Sequence, residues 1–118
     1  MLEPLLGNAT VEKVLFYLQV YRQGYPMGMS RLFDIPVNGI QQQLKRLEEG
    51  GIVVSFLRGR TRMYQFNPRY PFLKELNSLV SRALEFLPED ETARYYRQRT
   101  RPRRAGKPAM SLRNKRGS

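Results

Sequence analysis

Apolar residues recur along the chain at helical spacing, then in alternation, then at helical spacing again. Val11, Val14, Leu15, Leu18 and Tyr21 predict a first helix from about Val11 to Arg22. Thr10 is read as its N-cap, and Glu12 lies in the first turn, where the helix dipole favours an anion. Gln23-Gly24-Tyr25-Pro26 breaks this pattern, and Met29, Leu32 and Phe33 then give a short apolar face that stops at Asp34-Ile35-Pro36. A third helix is expected over residues 37–49. It carries Val37, Ile40, Leu44 and Leu47 on one stripe and ends at Gly50-Gly51, residues suited to a left-handed cap. Ile52 to Leu57 and Thr61 to Phe66 are rich in β-branched and aromatic residues and flank three residues centred on Gly59, so residues 52–66 read as a β-hairpin. After Asn67-Pro68-Arg69-Tyr70-Pro71, a fourth helix runs from Phe72 to Leu87. Its apolar residues Leu73, Leu76, Leu79, Val80, Ala83, Leu84 and Leu87 span an arc wider than one core contact needs. Arg94-Tyr95-Tyr96-Arg97 prolongs a helix only weakly, and Arg101 to Ser118 mixes Pro, Gly, Ser and like charges.

The expected fold class is therefore mainly α with a small β-hairpin wing, a winged helix-turn-helix followed by a disordered basic C-terminal tail. Residues 1–88 form the domain and residues 89–118 the tail, too poor in apolar residues to join a core. The chain of 118 residues has 21 Lys plus Arg against 10 Asp plus Glu, a formal charge of +11 and a pI of about 10.6. The excess is uneven: residues 89–118 carry ten basic and three acidic side chains, residues 1–88 eleven and seven. A polyanionic partner fits this balance, but in the folded part the placement of each cation decides.

Cysteine and histidine are both absent. That leaves no disulfide framework, no thiolate or imidazole metal site and no histidine base, so no cofactor and no metal are expected. Without a Walker-type loop, catalysis would rest on carboxylates such as Glu48 and Glu49, which point about 100° apart on a helix and cannot face each other. An enzyme is not expected. No apolar run approaches the ~20 residues of a membrane span, and Met1 to Thr10 lacks the features of a signal peptide, so the expectation is a soluble, cytoplasmic protein without a membrane partner.

On the third helix, the face opposite Ile40, Leu44 and Leu47 shows Asn38, Gln42, Lys45 and Arg46, with Gln41 at its edge. Asn and Gln can bond adenine in a bidentate way, while Lys and Arg reach guanine or phosphate. Taken alone, Gln41-Gln42-Gln43 also suits a merely solvated face. Arg58, Arg60 and Arg62 flank the hairpin turn with no carboxylate between Leu57 and Asn67. A charged edge can simply discourage strand pairing, but a patch of one sign suits phosphate or minor-groove contact.

The run Ile40-Gln41-Gln42-Gln43-Leu44-Lys45-Arg46-Leu47-Glu48-Glu49-Gly50-Gly51-Ile52-Val53 resembles the recognition-helix-to-wing segment of ArsR- and MarR-like winged-helix regulators. Gly59-Arg60-Thr61-Arg62-Met63-Tyr64-Gln65-Phe66-Asn67-Pro68 resembles their wing, and the likeness covers about Leu5 to Leu87. It implies a homodimer on a pseudo-palindromic operator in double-stranded DNA. Metal sensing is not carried over, because the Cys or His ligands it needs are missing. The wide apolar arc of helix 72–87 is the expected dimer contact. The tail is expected to act as a mobile arm that adds non-specific affinity for phosphates. The rival reading is a winged-helix module for protein or RNA contact in which the tail alone meets nucleic acid.

Overall fold

The computed structural model describes residues 1–97, so the expectations for residues 98–118 lie outside the described residues. Its elements are α1 (Glu3–Leu6), α2 (Ala9–Tyr21), β1 (Gln23–Gly24), α3 (Pro26–Phe33), α4 (Val37–Glu49), β2 (Val53–Arg58), β3 (Thr61–Phe66), α5 (Leu73–Glu85) and α6 (Glu89–Tyr95). The architecture is the expected one, helices around a small antiparallel sheet in winged helix-turn-helix order.

Helix α2 is the hub. Val11, Val14, Leu15, Phe16 and Leu18 are all buried, and α4 and α5 pack on it. Its N-cap is Asn8 rather than Thr10: Asn8 has extended backbone and its side-chain oxygen accepts from the Val11 amide at 2.8 Å. Gly7, at φ 100°, ends α1 and reverses the chain so that Asn8 reaches the capping position. Glu12 is buried as well; it accepts from the Leu2 amide at 2.6 Å and lies 3.2 Å from the Met1 ammonium.

At the other end of α2, Arg22 takes a positive φ (76°) and turns the chain into β1. The sequence reading treated Gln23-Gly24 only as a break. In the structure these residues pair antiparallel with Gln65 and Tyr64 of β3, giving the sheet order β1-β3-β2. Gly24 lies against the Tyr17 ring, where a Cβ has no room. Helix α3 begins three residues before Met29, with Pro26 in the first turn, where a proline costs no hydrogen bond. It ends at the left-handed Asp34, and the Ser30 hydroxyl closes the turn by donating to the Ile35 carbonyl.

Helix α4 has the expected bounds and buries Ile40, Leu44 and Leu47. The left-handed residue after it is Gly51 (φ 77°), while Gly50 stays right-handed. In the hairpin Arg58 pairs with Thr61, leaving a two-residue loop whose first member, Gly59, has φ 63°. A Gly with positive φ there suits a type II′ turn, whose twist matches the flanking strands.

Helix α5 buries Val80 and Ala83 and half-buries Leu76 and Leu84, and Leu87 just beyond it is half-buried as well. The sequence reading that the last 30 residues stay out of the core is corrected by the segment after it. Tyr96 is only 5% exposed and stands edge-on to Phe16 with ring centroids 5.5 Å apart. Tyr95 lies 5.3 Å from the Phe33 ring, and the Tyr21 hydroxyl donates to the Tyr95 carbonyl at 2.7 Å. Helix α6 carries Glu89, Asp90 and Glu91 in its first turn, where the dipole favours them. Burial, with Glu91 and Glu12 nearby, holds the Tyr96 hydroxyl well above the usual tyrosine range. Two tyrosines set among charged residues thus extend the core beyond residue 88.

Tyr96→Ala is expected to cost about 3–5 kcal/mol, as for other buried aromatics, while Tyr96→Phe keeps the ring packing and loses far less. Urea denaturation measures both. An unchanged midpoint for Tyr96→Ala would show that the segment after α5 does not contribute to the core.

Candidate nucleic-acid interface

Burial of Ile40, Leu44 and Leu47 decides where every other side chain of α4 goes. At about 100° per residue the opposite face carries Asn38, Gln42 and Lys45, all exposed, with Glu49 among them. One flank turns toward the hairpin: the Ser55 hydroxyl donates to Glu48 Oε2 at 2.8 Å. The other flank turns toward the N-terminal segment, where Asn8 Nδ2 donates to Gln43 Oε1 at 3.4 Å and Arg46 Nη2 donates to the Leu6 carbonyl at 3.4 Å.

The eight side chains singled out from the sequence are therefore not equivalent. Asn38, Gln42 and Lys45 share the outer face. Gln41 joins Arg62 in a groove of about 420 Å³ between α4 and the hairpin, lined also by Tyr25, Pro26, Met27, Val37 and Thr61. Arg46 remains exposed, but its guanidinium reaches toward α1 instead of lying beside Lys45. At the wing, Arg58 and Arg60 are exposed at the turn, and the Arg58 guanidinium sits 5.6 Å from the centroid of the Phe56 ring. Arg62 lies one pair further in and donates from Nη1 to Ser55 Oγ at 3.0 Å.

The sequence reading missed Tyr25, Met27 and Thr61 as groove residues. Pro26 marks where α3 begins, but no local period tells that its first turn meets α4 and the wing. It also missed that Glu49 shares the face of Asn38 and Lys45. Between Glu49 and Glu75 the chain has no carboxylate, so the hairpin is a surface of one sign set beside a helix end that carries two acids. The Tyr64 hydroxyl, on the same face of the hairpin as Ser55, is held above its usual range by burial and then by the Glu48 carboxylate, with Arg62 opposing. Among the described residues no group of three His, Cys, Asp or Glu could hold a metal ion, and no helix is long and apolar enough to cross a membrane.

An exposed face of Asn, Gln and Lys on a helix held rigidly by its other side can present paired donors and acceptors to the edges of bases. The flanking hairpin can present guanidinium groups to phosphate. In helix-turn-helix proteins that bind DNA, the second helix of a unit arranged like α3-turn-α4 lies in the major groove.

No family model and no curated protein matches the chain. Among solved structures it is similar to the adhesin competence repressor AdcR of Streptococcus pyogenes, at 15% identity and a TM-score of 0.54 over 77% of this chain and 68% of that one. It is also similar to the YusO protein of Bacillus subtilis, at 16% identity and a TM-score of 0.53 over 78% and 73%. A double mutant of Lactococcus lactis ZitR in its apo form matches at 13% identity and a TM-score of 0.51 over 78% of each chain. What the chain shares with these proteins, at such identities, is the winged helix-turn-helix fold.

Proposed function

We propose that the chain is a sequence-specific double-stranded DNA-binding transcriptional regulator of the ArsR- and MarR-like kind. Helix α4 enters the major groove and the hairpin meets the flanking backbone or minor groove. The observation that carries this reading is the outer face of α4: Asn38, Gln42 and Lys45 stand exposed on one side while Ile40, Leu44 and Leu47 anchor the other. In this reading the two amides read base edges, Lys45 reaches guanine or phosphate, and Arg58 and Arg60 neutralise phosphates beside the groove. Arg46, turned toward α1, serves the backbone rather than the bases. The fold of AdcR, which is named a repressor, supports a regulator but not a choice between repression and activation.

A second copy of the chain is the proposed partner. Leu79 is 40% exposed on α5, with Phe86 (64%) seven residues on and Phe72 (62%) at the other end of the helix. The core accounts for most of the arc noted in the sequence, leaving this apolar shoulder for a twofold contact, as a palindromic site requires. A specific feature favours the rival reading of a protein- or RNA-contact module: Glu48 and Glu49 place two carboxylates at the C-terminal end of α4, where a duplex brings phosphates.

Binding of the full chain, and of a chain ending at Arg97, to random genomic fragments followed by sequencing of the bound fraction separates the readings. Both chains are expected to enrich one motif. Asn38→Ala and Gln42→Ala should each lower the preference for that motif by about 1–3 kcal/mol, while Lys45→Ala and Arg60→Ala weaken all duplexes more evenly. Equal losses on specific and random duplex for the amide variants would remove the base-reading role. For the dimer, sedimentation at tens of micromolar without DNA should give twice the chain mass, and Leu79→Glu should give the monomer. A monomer before substitution would assign α5 to the core alone.

A further inference from the structure

The exposed carboxylate of Glu48 stands out on a surface proposed to meet a polyanion. It is not idle. Ser55 Oγ donates to Glu48 Oε2 at 2.8 Å and accepts from Arg62 Nη1 at 3.0 Å, so a chain of two hydrogen bonds runs from the last turn of α4 into the hairpin. The strand register explains the meeting. Ser55 is paired with Tyr64 and Leu57 with Arg62, which puts these side chains on one face of the ribbon, the face turned to α4. The other polar links between α4 and the hairpin among the described residues lie at its root, from the Ile52 amide to the Leu47 carbonyl and from Asn67 Nδ2 to the Gly51 carbonyl. Strand β1 holds β3 only as far out as Tyr64, and the two-stranded part of the ribbon beyond that pair can still swing.

We propose that Glu48, Ser55 and Arg62 form a latch that fixes the angle between the wing and α4, with Glu48 and Ser55 as positioning residues for the wing's contact with DNA. The latch uses one N–H of Arg62. A guanidinium has five, and the exposed remainder stays free to meet phosphate from a fixed direction. The inference rests on the DNA-binding reading for its consequence, but not for its geometry. It also has a sign that simple electrostatics does not share. A merely solvated Glu48 repels phosphate, so removing it would tighten binding; as part of the latch, its removal frees the wing and weakens binding.

The chain has no cysteine, so spin labels can be placed cleanly at Arg31→Cys on α3 and Arg60→Cys at the wing turn. The label-to-label distance distribution of the full chain without DNA is expected to be narrow. It should broaden in Ser55→Ala and in Glu48→Ala, and return to narrow in Ser55→Thr, which keeps the hydroxyl on a strand-favouring side chain. On a mixed-sequence duplex, with the labels absent, the two alanine variants should bind about threefold to tenfold more weakly, in line with the loss of one net hydrogen bond, and Ser55→Thr as the parent does. An unchanged distribution in Ser55→Ala, or tighter duplex binding by Glu48→Ala, overturns the latch. Broadening in the alanine variants of a chain that binds no duplex at all upholds the latch and overturns the DNA reading instead.

Discussion

The contact on which the rest of the molecule depends is the seating of Ile40, Leu44 and Leu47 of α4 in the core built on α2. Full burial of each such side chain is worth about 1.5–3 kcal/mol, so the helix cannot roll about its axis without losing several kcal/mol. A roll of one residue, about 100°, would bring Gln41, an exposed amide, into the core and push Leu44 toward solvent. Burial on one side thus sets the direction of Asn38, Gln42 and Lys45 on the other. The polar face needs no interaction of its own to be held in place, which leaves its donors and acceptors available to a partner.

The sheet extends that rigidity to the hairpin. Strand β1 is only two residues long, yet it joins the junction of α2 and α3 to β3, so the helix-turn-helix and the root of the wing move as one body. Gly24 permits this by letting the strand pass against the Tyr17 ring. On the far side of α2, Phe16, Phe33 and Tyr96 form an aromatic group that ties α2 and α3 to the segment after α5. Tyr96 thus anchors the last described turn of the chain beside α3.

Much of this was legible in the sequence where the signal is local. The bounds of α4 follow from a 3.6-residue period stopped by Gly50-Gly51, and the hairpin follows from β-branched runs around Gly59. Other features depend on partners distant in the chain. Gln23 and Gly24 show no strand pattern because two residues are too few to show one; only β3, some forty residues on, makes them a strand. Asn8 and Thr10 are both capping residues by type, and the turn at Gly7 decides between them. Tyr95 and Tyr96 look like surface residues among arginines and acids until Phe16 and Phe33 are brought beside them. For the interface, periodicity was enough to put Asn38, Gln42 and Lys45 on one face. It could not tell that Arg46 turns to Leu6 or Arg62 to Ser55, since both partners belong to other elements.

The most direct measurement is a titration of the full chain, isotope-labelled for NMR, with a duplex carrying the motif enriched from genomic fragments. The largest amide and side-chain shifts are expected at Asn38, Gln42 and Lys45 and at Arg58 and Arg60 of the wing, with α6 little changed. Shifts confined to α5 or α6, or to residues 98–118 with α4 silent, would contradict a recognition helix at α4.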